Sequence, residues 1–177
     1  NKTITYIQDH IGYYVDNTRF EIYANSFSND HLARAAQISQ RLLEKLPHTS
    51  MGDFGINFHF NENDPLTALL DKLTCNDQLE SRFSILAQEF TARILYKEKC
   101  QLNFKRIAGG RNVIFDFNYH HSVQSQKDFA VVTGDYLRSL LDASRADIKD
   151  LYEVEDCEEV QHEFVRQNDT MEIQNDL

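Results

Sequence analysis

The stretch Gly52-Asp53-Phe54-Gly55-Ile56-Asn57-Phe58-His59-Phe60 alternates between apolar residues and small or polar ones. Every second residue from Phe54 to Phe60 is aromatic or aliphatic, which is the period of a β-strand with one buried face. The segments 101–106 and 113–120 show the same alternation. We therefore predict three similar strands that lie side by side, with aromatic residues on one face and polar residues on the other.

Two longer amphipathic helices are predicted to cover the aromatic face. Residues 30–46 carry an apolar stripe at helical spacing, and competent N-cap residues precede it at 28–30. Residues 125–152 carry a second stripe that starts at the N-cap candidate Ser125. Gly134 lies inside this second helix, where glycine costs ~1 kcal/mol relative to alanine. We interpret it as a point of close approach to a strand.

Four shorter segments complete the predicted order of elements. Residues 3–7 and 19–23 are rich in β-branched and aromatic residues, which predicts two strands. A short helix follows Asp64-Pro65, because proline is well tolerated at the first helical position. Residues 79–107 alternate in places and are interpreted as two or three strands.

These elements predict an α+β fold. Its single, mainly antiparallel sheet has about five to six strands, and its two longer helices pack on one face. The glycines at 109–110 form a hairpin turn in this sheet. The chain of 177 residues fits one domain. We place that domain at residues 1–152 and an acidic C-terminal extension at residues 153–177.

Two short strand sequences carry a resemblance to known proteins. They are Gly55-Ile56-Asn57-Phe58 and Phe117-Asn118-Tyr119-His120, and both precede the final long helix. In this order they resemble small bacterial α+β proteins of unassigned function. The resemblance covers part of the chain, and it implies no activity, no cofactor and no site residues.

The formal net charge of −10 is unevenly distributed along the chain. Residues 153–177 contain nine acidic residues and one basic residue, which leaves a charge of −2 for residues 1–152. A nucleic-acid-binding surface needs a surplus of Lys and Arg. We therefore expect no nucleic-acid partner.

The compartment is predicted from apolar runs and cysteines. No run of about 18 apolar residues is present, and no basic-then-apolar leader opens the sequence, so we expect neither a membrane span nor secretion. Cys75, Cys100 and Cys157 show neither a disulfide framework nor the spacing of metal ligands. This cysteine usage favours the cytoplasm.

One candidate site is the polar face of the predicted sheet. If the three similar strands are neighbours, their polar residues share this face: Asn57, His59, Asn103, Lys105, Asp116, Asn118 and His120. A set of His59, Asp116 and His120 could bind a metal ion or transfer protons. Alternation along strands also places such residues together on a face that is merely solvated. We favour the solvated face, and expect no metal and no cofactor.

Charged segments provide the second candidate site. Bases dominate residues 97–111, whereas acids dominate the C-terminal extension, and complementary charges of this kind steer association between proteins. The predicted interaction residues are Lys97, Lys99, Lys105, Arg106, Arg111, Glu155, Asp156, Glu158, Glu159, Val160 and Phe164.

Three classes of function follow from these two candidate sites. We expect a non-catalytic protein that acts by protein–protein association, as a homo-oligomer or as a subunit of a larger assembly. The first alternative is an enzyme or metal-binding protein that uses His59, Asp116 and His120. The second alternative is an acidic inhibitor that occupies the basic groove of a target protein.

Overall fold

The fold is that of a computed structural model of the chain. The structure describes residues 4–8, 10–15, 18–24, 26–49, 52–63, 65, 67–73, 82–109, 111–155 and 157–159. Within these residues the protein is α+β, and all of its strand pairs are antiparallel. None of the described helices is long and apolar enough to cross a membrane.

Three strands precede the first helix, and three successive strands precede the last long helix. The strands are β1 (Ile4–Gln8), β2 (Ile11–Val15), β3 (Phe20–Ala24), β4 (Asp53–Asn63), β5 (Ala87–Lys97), β6 (Cys100–Gly109), β7 (Asn112–Ser122) and β8 (Glu158–Glu159). The helices are α1 (Asn29–Lys45), α2 (Thr67–Leu73) and α3 (Gly134–Tyr152), and a 3₁₀ segment spans Gln126–Val131.

The prediction of a single sheet is wrong, because the described strands form two sheets. Five strands form the larger sheet, in the order β5-β6-β7-β4-β8, and three form the smaller one, in the order β1-β2-β3. The N-terminal segment contains one strand more than predicted, since residues 11–15 pair with both β1 and β3. His10 has a φ of 64° next to β2. A positive φ of this kind is typical of the tight hairpin turns that join paired strands.

The core lies on the aromatic face of the larger sheet, as the alternation predicts. β4, β6 and β7 are neighbours, and their apolar residues are buried together with those of α1 and α3. The buried aromatic residues are Phe58, Phe60, Phe104, Phe115, Phe117 and Tyr119. Edge-on ring contacts, such as Phe60 against Phe117 at 5.9 Å between ring centres, are favourable for aromatic pairs.

The first long helix, α1, lies where the sequence predicts it. Ser28 caps α1, and its hydroxyl oxygen accepts a hydrogen bond from the backbone N–H of His31 at 3.3 Å. This contact satisfies one of the free N–H groups at the helix start. Leu32, Ala36 and Leu43 are the buried residues of the stripe.

The second long helix is shorter than predicted and begins at Gly134. Thr133 caps it by accepting a hydrogen bond from the backbone N–H of Tyr136 at 3.1 Å. The 3₁₀ segment Gln126–Val131 precedes this cap, and its Phe129 is buried like a residue of the helical stripe. A methyl group at Gly134 would lie 3.1 Å from the Cα of Ala33 in α1, so the glycine marks close approach to a helix and not to a strand.

The sequence predicts two or three strands within residues 79–107. Among the residues that the structure describes there, two strands form, β5 and β6. β6 and β7 pair from Cys100–His121 to Gly109–Asn112, so two residues join them in the predicted hairpin. The short helix α2 is also confirmed. Its predicted cap, Asp64, lies outside the described residues.

The start of the predicted acidic extension is attached to the body of the protein. Val154 and Cys157 pack against the core, and Glu158 and Glu159 pair with β4 as strand β8. Lys72 and Lys149 form ion pairs with Glu153 and Glu155, at 2.8 and 2.7 Å. Residues 153–155 and 157–159 therefore contact the same sheet and helices as the residues before them.

Phe58→Ala should show how strongly the aromatic face stabilises the fold. The Phe58 side chain is 2% exposed, and its ring lies 5.3 Å from that of Phe27. Truncation leaves a cavity in a well-packed core and should lower the free energy of unfolding by ~3–5 kcal/mol. Urea denaturation measures this loss. Phe83→Ala is the control because Phe83 is 65% exposed, and an equal loss in both variants would contradict the assignment of the core.

Candidate functional site

The polar face of the larger sheet is formed by the register of three neighbouring strands. Lys105 lies opposite Asp116, and Asp116 lies opposite His59. The next row along contains the three asparagines: Asn103, Asn118 and Asn57. Directly opposite residues of paired strands point to the same face. The polar residues predicted to share a face are therefore on one side of the sheet.

The three asparagines form a ladder of side-chain hydrogen bonds across β6, β7 and β4. Asn103 Nδ2 donates to Asn118 Oδ1 at 2.8 Å, and Asn118 Nδ2 donates to Asn57 Oδ1. Gln101 extends the ladder, because its Nε2 donates to Asn103 Oδ1 at 2.6 Å. A methyl group at Gly55 would lie 2.9 Å from Asn118 Nδ2. Glycine at position 55 therefore leaves the space in which the Asn118 amide lies.

The candidate acid–base set is only partly brought together. His59 Nδ1 lies 2.6 Å from Asp116 Oδ1, so the imidazole donates an Nδ1–H hydrogen bond to the carboxylate. His120 is four residues from Asp116 along β7, which corresponds to about 13 Å in a strand. Its Nε2 instead lies 3.9 Å from Asp53 Oδ2. Among the described residues, no three His, Cys, Asp or Glu side chains are placed to hold a metal ion.

The predicted basic surface is divided by the strand geometry. Lys97 and Lys99 lie near the β5–β6 turn, whereas Arg111 lies at the opposite end of β6. Lys105 points to the polar face and pairs with Glu89 at 2.9 Å. Arg106 is the next residue and therefore points to the opposite face.

Arg106, one of the predicted interaction residues, is only 8% exposed. Its guanidinium lies 5.3 Å from the ring centre of Phe90 and 5.8 Å from that of Tyr152. These distances are typical of cation–π contacts. Arg106 thus packs within the protein, on the helical side of the sheet.

The predicted acidic interaction residues are placed only in part. Glu155 is exposed and pairs with Lys149, while Glu158 and Glu159 belong to strand β8. Asp156, Val160 and Phe164 lie outside the described residues.

An exposed apolar surface lies along β5, an edge strand of the larger sheet, and was not predicted from the sequence. Phe90 and Ile94 are each 44% exposed, and Leu95 is 81% exposed. The sequence does contain an indication of this surface. Ile94 and Leu95 are adjacent apolar residues, and adjacent residues of a strand point to opposite faces of the sheet. A strand with apolar residues on both faces differs from the one-sided strand β4. We call Phe90, Ile94 and Leu95 the β5 edge surface.

A cavity of about 50 Å³ lies on the helical side of the β5 edge surface. Its lining residues are Ile94, Leu102, Phe104, Phe117, Asp147, Leu151 and Tyr152. Ile94 and Leu151 are both exposed, so the cavity reaches the surface at this edge. Burial raises the pKa of the Asp147 carboxyl, and the neighbouring Asp150 adds to this effect. The cavity is otherwise apolar and suits an apolar side chain.

A second polar cluster is enclosed under α3. Tyr119 OH lies 2.9 Å from Ser144 Oγ, and burial raises the pKa of Tyr119. Tyr136 OH lies 3.3 Å from His121 Nε2, and burial raises the pKa of Tyr136 to about 12. Burial also lowers the pKa of His121, and His120 and Lys97 lower it further. These groups satisfy buried hydrogen bonds and stabilise the contact of α3 with the sheet.

Comparison with protein-family models, curated proteins and solved structures finds no match to this chain. The polar face and the β5 edge surface are therefore the two features that bear on function.

His121→Phe should flatten the dependence of stability on pH. The folded state lowers the pKa of His121 below its ordinary value of 6.5, so the unfolded chain binds a proton more readily. The stabilisation is present above pH 6.5 and is lost as the pH falls through the folded-state pKa. The melting temperature of the wild type should therefore fall below pH 6.5 more steeply than that of His121→Phe. Calorimetry across this range measures how the melting temperature of each protein depends on pH. Equal dependences would contradict the assignment of this effect to His121.

Proposed function

We propose that this chain is a non-catalytic assembly subunit that associates with itself, and that the β5 edge surface is its main contact. The observation that carries the proposal is the exposure of Phe90, Ile94 and Leu95 on one edge strand. Among the described residues, no strand pairs with the outer side of β5.

An unpaired edge of this kind favours association for a physical reason. β5 has eleven residues and presents a row of backbone N–H and C=O groups that can pair with another strand. Proteins protect such edges with short strands, prolines or many charged residues. β5 contains no proline, and its charged residues are Glu89, Arg93 and the terminal Lys97. Pairing would satisfy the backbone groups and bury the apolar side chains in the same event.

The acidic C-terminal segment supplies an additional contact in this proposal. Residues 160–177 contain four acidic residues and one basic residue, together with the apolar anchors Val160 and Phe164. Exposed ion pairs contribute only ~0–1 kcal/mol each, so several must act together with apolar anchors. Lys97, Lys99 and Arg111 are exposed bases for such a contact.

A second candidate function is proton transfer on the polar face. The observation that favours it is the 2.6 Å contact of His59 Nδ1 with Asp116 Oδ1. A carboxylate in this position fixes the orientation of an imidazole, which is the arrangement that acid–base catalysts use. The separation of His120 from this pair leaves the set with two members, so we rank it below assembly.

The compartment that we propose is the cytoplasm. Cys100 and Cys157 are free thiols, and the absence of a disulfide between them suits a reducing environment.

Ile94→Lys should weaken self-association. The substitution places a charge at the centre of the β5 edge surface, where it would be desolvated on pairing. We expect the wild type to form a dimer or larger oligomer in sedimentation equilibrium, and Ile94→Lys to shift towards the monomer. Val131→Lys is the matched control, since Val131 is 40% exposed and lies in the 3₁₀ segment. A wild type that stays monomeric at every concentration would contradict the proposed function.

Two truncations should separate the structural and the associative parts of the C-terminal segment. Ending the chain after Glu159 keeps Val154, Cys157 and β8, so the body should remain as stable as the full chain. Ending it after Tyr152 removes these contacts and should cost ~1–3 kcal/mol of stability, from lost apolar burial. Thermal unfolding compares the two truncated chains.

The same truncations test the charged contact. Raising the salt from 0.1 to 1 M shortens the Debye length from ~10 to ~3 Å and should weaken association of the full chain. The chain that ends after Glu159 should associate more weakly and respond less to salt. If both chains sediment alike at both salt concentrations, the acidic segment has no part in assembly.

A further inference from the structure

We propose that β5 pairs antiparallel with β5 of a second copy about a two-fold axis at Ala92, so that two five-stranded sheets join into one continuous sheet. The inference rests on the proposed function, because it specifies the partner and the register of the same β5 edge surface.

The symmetry of a closed dimer limits the possible registers. In a two-fold interface the same surface meets itself, so that if residue i contacts residue j of the partner, j also contacts i of the partner. Directly opposite residues of an antiparallel pair lie on the same face of the sheet. A continuous sheet with the helices of both copies on one side therefore needs one residue of β5 on the axis, opposite its own copy.

Placing Ala92 on the axis matches the apolar side chains of the helical face. Phe90 then lies opposite the partner's Ile94, and Ile94 lies opposite the partner's Phe90. Pairs of an aromatic and a β-branched residue are among the more favourable cross-strand pairs. Ala92 meets the partner's Ala92 between them, and its small side chain leaves room for the two larger pairs.

The cavity beside β5 fits this arrangement. Ile94 lines the cavity of about 50 Å³ together with Leu151, and both side chains are partly exposed. The partner's Phe90 would lie against Ile94 and over the mouth of this cavity. The dimer would therefore cover this apolar opening beside β5.

The polar face is also complementary in this register. Glu89 lies opposite the partner's Leu95, and the partner's Arg93 is its diagonal neighbour. Diagonal neighbours are close enough for long side chains to interact. Two Glu89–Arg93 contacts related by the axis would result, and Thr91 would lie opposite the partner's Arg93.

The neighbouring registers are less favourable. With Arg93 on the axis, two arginines would lie directly opposite each other, which is destabilising. With Thr91 on the axis, Phe90 would meet only the partner's Ala92, and Ile94 would meet the partner's Gln88. The Ala92 register uses residues 89–95, and all of them precede the irregularity in the β5–β6 pairing between Leu95 and Lys97.

Ala92→Cys tests the axis directly in the full-length chain. Opposite residues of antiparallel strands have Cα atoms about 4.5–5.5 Å apart, which is within the range that a disulfide bridges. Mild oxidation should convert most of this variant into a covalent dimer on a non-reducing gel. Gln88→Cys is the matched control, because in this register it lies opposite the partner's Tyr96 and far from its own copy. It should give no more dimer than the wild type, whose Cys100 is buried.

Two substitutions of Leu95 test the register without cross-linking. Leu95→Glu would place a negative charge opposite the partner's Glu89. This repulsion should raise the dissociation constant of the dimer at least about tenfold. Leu95→Lys would place a positive charge opposite the partner's Glu89. It should change the dissociation constant of the dimer by no more than about threefold. Leu95 is 81% exposed, so neither change disturbs the core of the monomer.

The outcomes separate the register from the proposed function. A covalent dimer with Ala92→Cys, together with the contrast between Leu95→Glu and Leu95→Lys, supports the Ala92 register. A wild-type dimer with no Ala92 cross-link and equal effects of both Leu95 substitutions overturns the register and leaves self-association standing. A wild type that is monomeric throughout overturns both.

Discussion

The pairing of β4 with β7 is the constraint on which the rest of the structure depends. Eleven residue pairs, from Asp53–Ser122 to Asn63–Asn112, fix the register of these two strands. In this register Phe58 lies opposite Phe117 on the helical face, while His59 lies opposite Asp116 on the other face. A slip of one residue would move the aromatic side chains out of the core. Burial of these rings therefore sets the position of every polar residue on the opposite face.

The two helices that bury this face also determine which part of the sheet they leave uncovered. β4, β6 and β7 lie under them, and their aromatic residues are buried. β5 lies at the margin, where Phe90 and Ile94 point to the helical side but remain half exposed. Among the described residues, the same packing thus produces a closed core and an edge strand that pairs on one side only.

The open edge and the polar face differ in what they can do. The polar face satisfies much of its hydrogen bonding internally, through the asparagine ladder and the His59–Asp116 contact. The β5 edge has backbone groups and apolar side chains that gain from pairing with another strand. Pairing of another strand with β5 should therefore release more free energy than binding of a ligand to the polar face. This difference is why we place assembly before catalysis in the proposed function.

The alternation at 52–60 and the stripe at 30–46 were enough to predict the central strands, the first helix and the buried aromatic face, because side-chain periodicity records which face is buried. The extra strand β2, the start of α3 at Gly134 and the separation of His120 from His59 were decided by tertiary structure. Turn geometry, helix capping and strand register act between residues that periodicity does not connect. The burial of Arg106 and the exposure of Leu95 were also decided by tertiary structure, because each depends on where its strand lies in the sheet. The sequence alone determined what each strand places on its two faces, whereas only the tertiary structure determined that β5 lies at an edge of the sheet.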